Sequence, residues 1–284
     1  MTAPAGALRL LRRVCATLTG ATGFAIVTIV LAAALFAPWI ATYDPDQLDV
    51  MNRFAAPSFA HWLGTDHLGR DLYSRLVHGA TIAMAVAVTS IAIALSAGTL
   101  LGILAAYLPP RLERFVLILF DVISSFPSMV FALAIVAVFG PSTAIVVVIV
   151  ALTLIPHFGR VARAQVLTLK SAPFLEAERI LGASTARIVA HHILPNILGP
   201  LVILASMDIP VVITIEAGLS FLGLGVRPPL ASWGTLIQDG YQFLSDSWVP
   251  VVVSSLALAV TTLGFTLFGE ALRDAIDPRI RQER

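Results

Sequence analysis

The chain has 284 residues, 58% of them hydrophobic and 12% charged, with a formal net charge of +1 and a mean hydropathy of +0.90. Soluble globular domains carry about 25% charged residues, so this composition excludes a soluble enzyme and describes an integral membrane protein. Nothing in the charge balance calls for a nucleic-acid partner, and Cys15, the only cysteine, excludes an intrachain disulfide.

Residues 1–20 hold Arg9, Arg12 and Arg13 and no acid. Gly20–Trp39 is then an apolar run of bilayer-spanning length. A basic head before an apolar stretch also fits a cleaved signal peptide, but the run is long and further spans follow. It reads as the first membrane helix, with its arginines in the cytoplasm. Residues 41–78 are polar. Their core, 61–80, reads H-W-L-G-T-D-H-L-G-R-D-L-Y-S-R-L-V-H-G-A. Its glycines and T-D-x-x-G-R-D pattern predict turns and a capped end, with Thr65 or Asp66 as the cap. His61, His67 and His78 lack any recognised metal-ligand spacing and read as interfacial or solvated.

Thr81–Leu108 is the second span and contains Gly98-x-x-x-Gly102, which lets some neighbouring helix approach closely. Pro109-Pro110 ends it. Phe115–Phe139 is the third span, with Asp121 and Pro127 inside; the proline predicts a kink. Thr143–Phe158 is the fourth. The polar stretch 159–195 follows. Within it Pro173 suits a helix start and Glu176, Ala177 and Glu178 favour helix. Gly182 predicts a stop or sharp bend, and Ala186–Leu194 a second short helix that Pro195 ends, unless Pro195 opens the next segment. A helix–bend–helix unit with charges between two spans is a docking platform for something outside the membrane. Asn196–Leu222 is the fifth span, with Pro200, Asp208, Pro210 and Glu216. Residues 226–247 form a loop, and Trp248–Gly269 is the sixth span.

Three stretches resemble one known family. Glu176-Ala177, Gly182 six residues after the glutamate, and Ile193-Leu194-Pro195 resemble the "EAA…G…I-x-LP" signature of ABC importer permeases. G-T-D-H-L-G-R-D-L-Y-S-R-L (64–76) and L-S-F-L-G-L-G-V-R-P-P-L-A-S-W-G (219–234) resemble elements of the dipeptide/oligopeptide/nickel branch, and the ending at 271–281 is similar too. The resemblance implies an all-α membrane protein with six transmembrane helices, the type I importer architecture, and a cytoplasmic coupling helix that seats in an ATPase subunit. Glu176, Ala177, Glu178, Gly182, Ile193, Leu194 and Pro195 would form that seat. Glu178 departs from the usual alanine and would meet a basic rim on the ATPase. The resemblance also implies a second permease subunit as a heterodimer partner, one or two P-loop ATPase subunits that bind ATP and Mg, an extracytoplasmic substrate-binding protein, and a bacterial inner membrane as the site.

The expected organisation is a cytoplasmic N-terminus (1–20), a first membrane helix (21–40), an extracytoplasmic segment (41–78), a permease domain (79–271) holding the coupling loop (about 159–195), and a cytoplasmic tail (272–284). Charge placement offers an independent test. With both termini inside, only Arg53, Arg70, Arg75 and Arg227 fall outside, and the other fourteen Lys and Arg residues fall inside, as the positive-inside rule requires.

No hydrolase, metal or thiol-redox motif is present, and the only lysine, Lys170, has no P-loop glycines before it. The chain is expected to be non-catalytic and to bind no cofactor of its own. Asp121, Asp208 and Glu216 lie within apolar spans, where a mid-bilayer charge costs roughly 2.5–3.5 kcal/mol. They are candidates for a polar translocation path that contacts a peptide amino group, or for pairing within the bundle. The pairing reading suits Asp121, near the inner end. Glu216, near the outer end, would face a partner subunit or delivered substrate. An ion-gradient-driven secondary transporter is the alternative, but the matched inverted halves that mark one are not evident. An intramembrane enzyme would need a nucleophile–base pair at one depth.

Overall fold

A computed structural model describes residues 10–276, and it is nearly all helix. The predicted N-terminal tract before residue 10 and the tail beyond residue 276 lie outside the described residues. After a helical turn at 10–14, α1 runs Leu18–Ile40, with the Thr17 side chain accepting from the Gly20 N–H as N-cap. Its 23 residues span about 35 Å, enough for a hydrocarbon core of about 30 Å. It packs on the last helix and on α2.

The segment from Ala41 to Asp71 folds back on itself. Asp66 Oδ1 accepts from the N–H groups of Leu68 and Arg70, and Arg70 Nε donates to Asp66 Oδ2 at 2.6 Å. Gly69 sits at φ +77°, and any side chain there would collide with the Asp49 carbonyl. The helix cap is neither Thr65 nor Asp66. It is Asp71, whose Oδ2 accepts from the Ser74 N–H at 2.8 Å. Thr65 instead ties the loop, accepting from Ala55 N–H and donating to Asn52 O. Both hydroxyl and carboxylate suit capping, but the turn around Asp66 consumes its carboxylate before the helix begins.

Helix α2, Leu72–Tyr107, is 36 residues long. It starts nine residues before the predicted span and packs most extensively against α5. Gly98 and Gly102 line that seam: a Cβ on Gly98 would lie 2.7 Å from the Ile155 carbonyl, and one on Gly102 would collide with the Gly159 carbonyl. The partner that the small-residue pair left open is therefore α5.

The predicted third span is two helices, α3 (Pro110–Ser125) and α4 (Ser128–Phe139), at 90° to one another. Pro127 does more than kink the helix. It lacks an N–H and crowds the preceding turn, and Phe126 before it is extended, at φ −83° and ψ 130°. Helix α5, Thr143–Lys170, also departs from expectation. It does not stop at Phe158 but runs twelve residues further, through Gly159. That glycine is buried where Phe120 of α3 lies over it. The charges beyond it are paired across to α3, Arg160 with Asp121 at 2.9 Å and Arg163 with Glu113.

Helix α6 is Pro173–Ile180 and α7 is Thr185–Ile188; a π turn at Val189–Ile193 joins α7 to α8, Leu194–Phe221. Thr185–Phe221 is thus one continuous helical run of 37 residues. Of the two readings of Pro195, it opens the next segment: it stands at the start of α8, directly after the π turn where the helical register changes.

The outer stretch read as loop 226–247 contains α9, Trp233–Gln242, started by a capping box between Ser232 and Thr235. Trp233 is buried, and its Nε1 donates to the Leu76 carbonyl at 2.9 Å. Helix α10, Val249–Ile276, closes the bundle against α1, α8 and α9. Among the described residues five helices are long and apolar enough to cross a membrane, or six spans if α3 and α4 count as one.

The glycine seam makes a direct prediction. Gly159→Leu drives a side chain into the Phe120 ring and separates α2, α3 and α5. Overpacking of this kind costs about 1–3 kcal/mol, and the melting temperature of the protein in mild detergent falls accordingly. Gly199→Ala, where a Cβ meets nothing within 4 Å, leaves it unchanged or slightly raised.

Candidate docking loop and intramembrane polar residues

Helix α6 begins at Pro173, with Glu176 in its first turn favourable to the helix dipole. Leu175 is fully buried and anchors it, while Glu176 and Ala177 are exposed. The helix ends in a Schellman arrangement: the Ala183 N–H donates to the Glu178 carbonyl, with Gly182 at φ +84°. A Cβ on Gly182 would touch nothing. The glycine is needed for its backbone conformation, not for space. Beyond the bend, Ile188 and Ile193 are buried and hold α7 and the π turn to the bundle; Leu194 is half-buried and Pro195 exposed.

Two features escaped sequence reasoning. Glu178 has a polar neighbour in the same unit: its Oε1 lies 3.6 Å from His192 Nε2. The second is apolar. Ile180 is 81% exposed and Leu181 83% exposed, side by side at the tip, with Phe174 also exposed. The tip of this polar loop is thus apolar. The signal was the I-L pair just before Gly182, overlooked among the charges.

The three intramembrane acids occupy different settings. Asp121 is exposed and accepts from Arg160 Nη2, which also reaches Ser124 Oγ at 3.2 Å. Glu216 is fully buried rather than facing outward. Ser220 Oγ donates to its Oε1 at 2.7 Å and accepts from the Val226 N–H, so this pair ties the chain leaving α8. Asp208 is 13% exposed and faces His157 of α5, its Oδ2 lying 3.7 Å from His157 Nε2. His157 was not singled out in the sequence. Its signal is a lone imidazole in an apolar span, one turn before Arg160.

At the end of the bundle that holds the 41–71 segment, buried Arg75 donates to the Pro45 carbonyl at 3.1 Å and lies 3.6 Å from both Asp66 and Asp46. Arg70 lies 3.4 Å from Asp239 of α9. Burial pushes the Asp239 carboxyl above the ordinary range, against the pull of His67, Arg70 and Arg75. The histidines serve this scaffold: His61 meets Asp71 at 2.9 Å, His78 Nδ1 meets the Ser74 carbonyl, and His67 stacks on Phe243. The T-D-x-x-G-R-D block thus clamps the 41–71 segment to α9.

Comparison with known proteins agrees with this architecture. Residues 98–282 match the family described as binding-protein-dependent transport system inner membrane component, and residues 11–57 match the N-terminal TM domain of oligopeptide transport permease C. The chain is 37% identical over 258 residues to a probable D,D-dipeptide transport system permease protein of Escherichia coli (strain K12), covering 91% of this chain and 87% of that one. It is 36% identical over 259 residues to a dipeptide transport system permease protein of Alkalihalophilus pseudofirmus, covering 91% and 85%. It is 40% identical over 256 residues to a glutathione transport system permease protein of Escherichia coli O6:K15:H31, covering 90% and 84%. Among solved structures, a chain of the inward-facing MetNI methionine ABC transporter matches with a TM-score of 0.59 at 18% identity, over 72% of this chain and 98% of that one, a likeness of fold. These matches lend no support to the gradient-driven transporter reading. The chain belongs to the family of binding-protein-dependent inner membrane components and is a multi-pass permease subunit of an ABC importer.

Proposed function

We propose that this permease moves peptides, or a related small solute such as a nickel chelate, into the cytoplasm of a bacterium by alternating access. The substrate is delivered by an extracytoplasmic binding protein. The permease works in the inner membrane with both termini in the cytoplasm, beside a second, different permease subunit and one or two P-loop ATPase subunits. It is not catalytic and binds no cofactor, since ATP and Mg belong to the ATPases. The peptide class rests on the relatives, whose names specify dipeptides, di/tripeptides and glutathione.

The observation that carries the reading is the tip of the 159–195 segment. A short helix anchored by Leu175 ends at a left-handed glycine and presents Ile180 and Leu181 almost fully exposed. Glu176, Ala177 and Gly182 give the tip its shape, and Ile193, Leu194 and Pro195 join it to α8. In this reading the tip is the ATPase seat, and Glu178 meets a basic rim on the ATPase. Asp208 lines the path, Asp121 is held by Arg160, and Glu216 shapes the outer exit.

Two experiments test this. A tagged chain purified in mild detergent brings down a second six-span permease and P-loop ATPases; recovery of the chain alone or as a homo-oligomer overturns the partner set. Gly182→Val forces a β-branched residue into a left-handed conformation that costs roughly 1–2 kcal/mol even for an unbranched residue. It inserts into the membrane normally but lowers solute uptake severalfold, because the exposed tip is re-aimed. Wild-type uptake by that variant counts against the docking role.

A further inference from the structure

His157 and Asp208 each stand halfway along a 28-residue helix, α5 and α8 respectively. They are the facing polar side chains where these two helices meet. Their separation of 3.7 Å exceeds a hydrogen bond. Among the described residues Asp208 Oδ2 has no hydrogen-bond partner, although the atom is buried. The His157 side chain is 48% exposed. Asp121 has Arg160 and Glu113 has Arg163, while Glu216 is tied to Ser220 through one oxygen, its Oε2 being buried and unpartnered as well. A carboxylate at this depth needs a donor, and His157 supplies none at hydrogen-bonding distance. Arg160, one turn further along α5, is paired with Asp121 and also donates to Ser124 Oγ.

We infer that the His157–Asp208 pair is a transit site for a primary ammonium group, the free amino terminus of a peptide crossing the permease. This deepens the peptide reading proposed above and rests on it. The chemistry fits an ammonium better than any other peptide group. Three N–H donors require acceptors; the Asp208 carboxylate supplies them, and His157 Nε2 adds another in the tautomer that carries its proton on Nδ1. A peptide carboxylate would be repelled by Asp208, and an apolar side chain would leave the acid unpaired. The site is suited to weak, brief contact: two acceptor side chains slow a charged group little, yet they remove the cost of carrying a bare ammonium through a low-dielectric constriction.

The test uses the complete importer, with its partner permease, ATPases and binding protein, in proteoliposomes, and radiolabelled dialanine as the probe. Asp208→Asn keeps the shape and removes the charge. It is expected to assemble with its partners but to lower the maximal uptake rate at least about tenfold, as for loss of one charge-assisted hydrogen bond; Asp208→Glu restores a substantial part. Uptake by Asp208→Asn at the wild-type rate overturns the ammonium site and leaves peptide import standing. A wild-type importer that moves no dialanine overturns the peptide reading and the ammonium site with it. A second measurement does not depend on turnover. Because Cys15 is the only cysteine, Asp208→Cys in a Cys15→Ser background offers a single thiol. Labelling by a membrane-impermeant cationic methanethiosulfonate reagent, slowed by dialanine during ATP cycling, supports the site. A thiol that no aqueous reagent reaches from either side places position 208 against lipid or protein and overturns it.

Discussion

The close approach of α2 to α5 at Gly98, Gly102 and Gly159 governs much of this fold. Lipid offers no hydrophobic drive for helices to associate, so contact must come from packing, and only glycine lets these two backbones come so near. The Phe120 ring fills the remaining space over Gly159 and brings α3 onto the same seam. Once α5 is fixed by this contact, His157, Arg160 and Arg163 are fixed with it. The ion pairs to Asp121 and Glu113 then follow as consequences of where α5 has been placed.

The end of the bundle that holds the 41–71 segment is built on another principle. There the chain uses charge rather than small residues. Buried Arg75 and Arg70 gather Asp46, Asp66 and Asp239 from three separate stretches, and Trp233 reaches across to the Leu76 carbonyl. Burying so many charges is costly unless each is paired. The network therefore fixes one register between that segment and α9. The two ends of the bundle differ in kind: a polar clamp at one, and at the other a projecting unit with an apolar tip.

Much of this was legible in the residues. Membrane insertion, the apolar spans, Pro173 as a helix start and Gly182 as a helix stop follow from hydropathy and backbone chemistry acting locally. The fourth span runs twelve residues beyond its expected end, because packing keeps Gly159 inside α5 as a contact point. Pro195, which the residues alone left as an end or a start, is a start. The kink expected at Pro127 is a right-angle turn, because a new helix begins directly after the proline. Asp208 was visible as a charge in an apolar span, but its partner was not. His157 lies 51 positions away, and only the packing of α5 on α8 brings the two together. Glu216 likewise looked outward-facing until its burial against Ser220 was seen.

The run from Thr185 to Phe221 carries a mechanical consequence. At 1.5 Å per residue it is a rod of about 55 Å, with the tip unit at one end, Asp208 beyond its middle and the Glu216–Ser220 tie at the other. A tilt of about 10° at the tip end would swing the far end by about 10 Å by simple leverage. The rod is not uniformly stiff: the π turn, Pro200 and Pro210 are places where backbone hydrogen bonds are missing or lengthened, so bending concentrates there. A push at Ile180 and Leu181 would therefore reach Asp208 as a displacement of the whole shaft relative to α5. The gap between carboxylate and imidazole would open or close with the stroke.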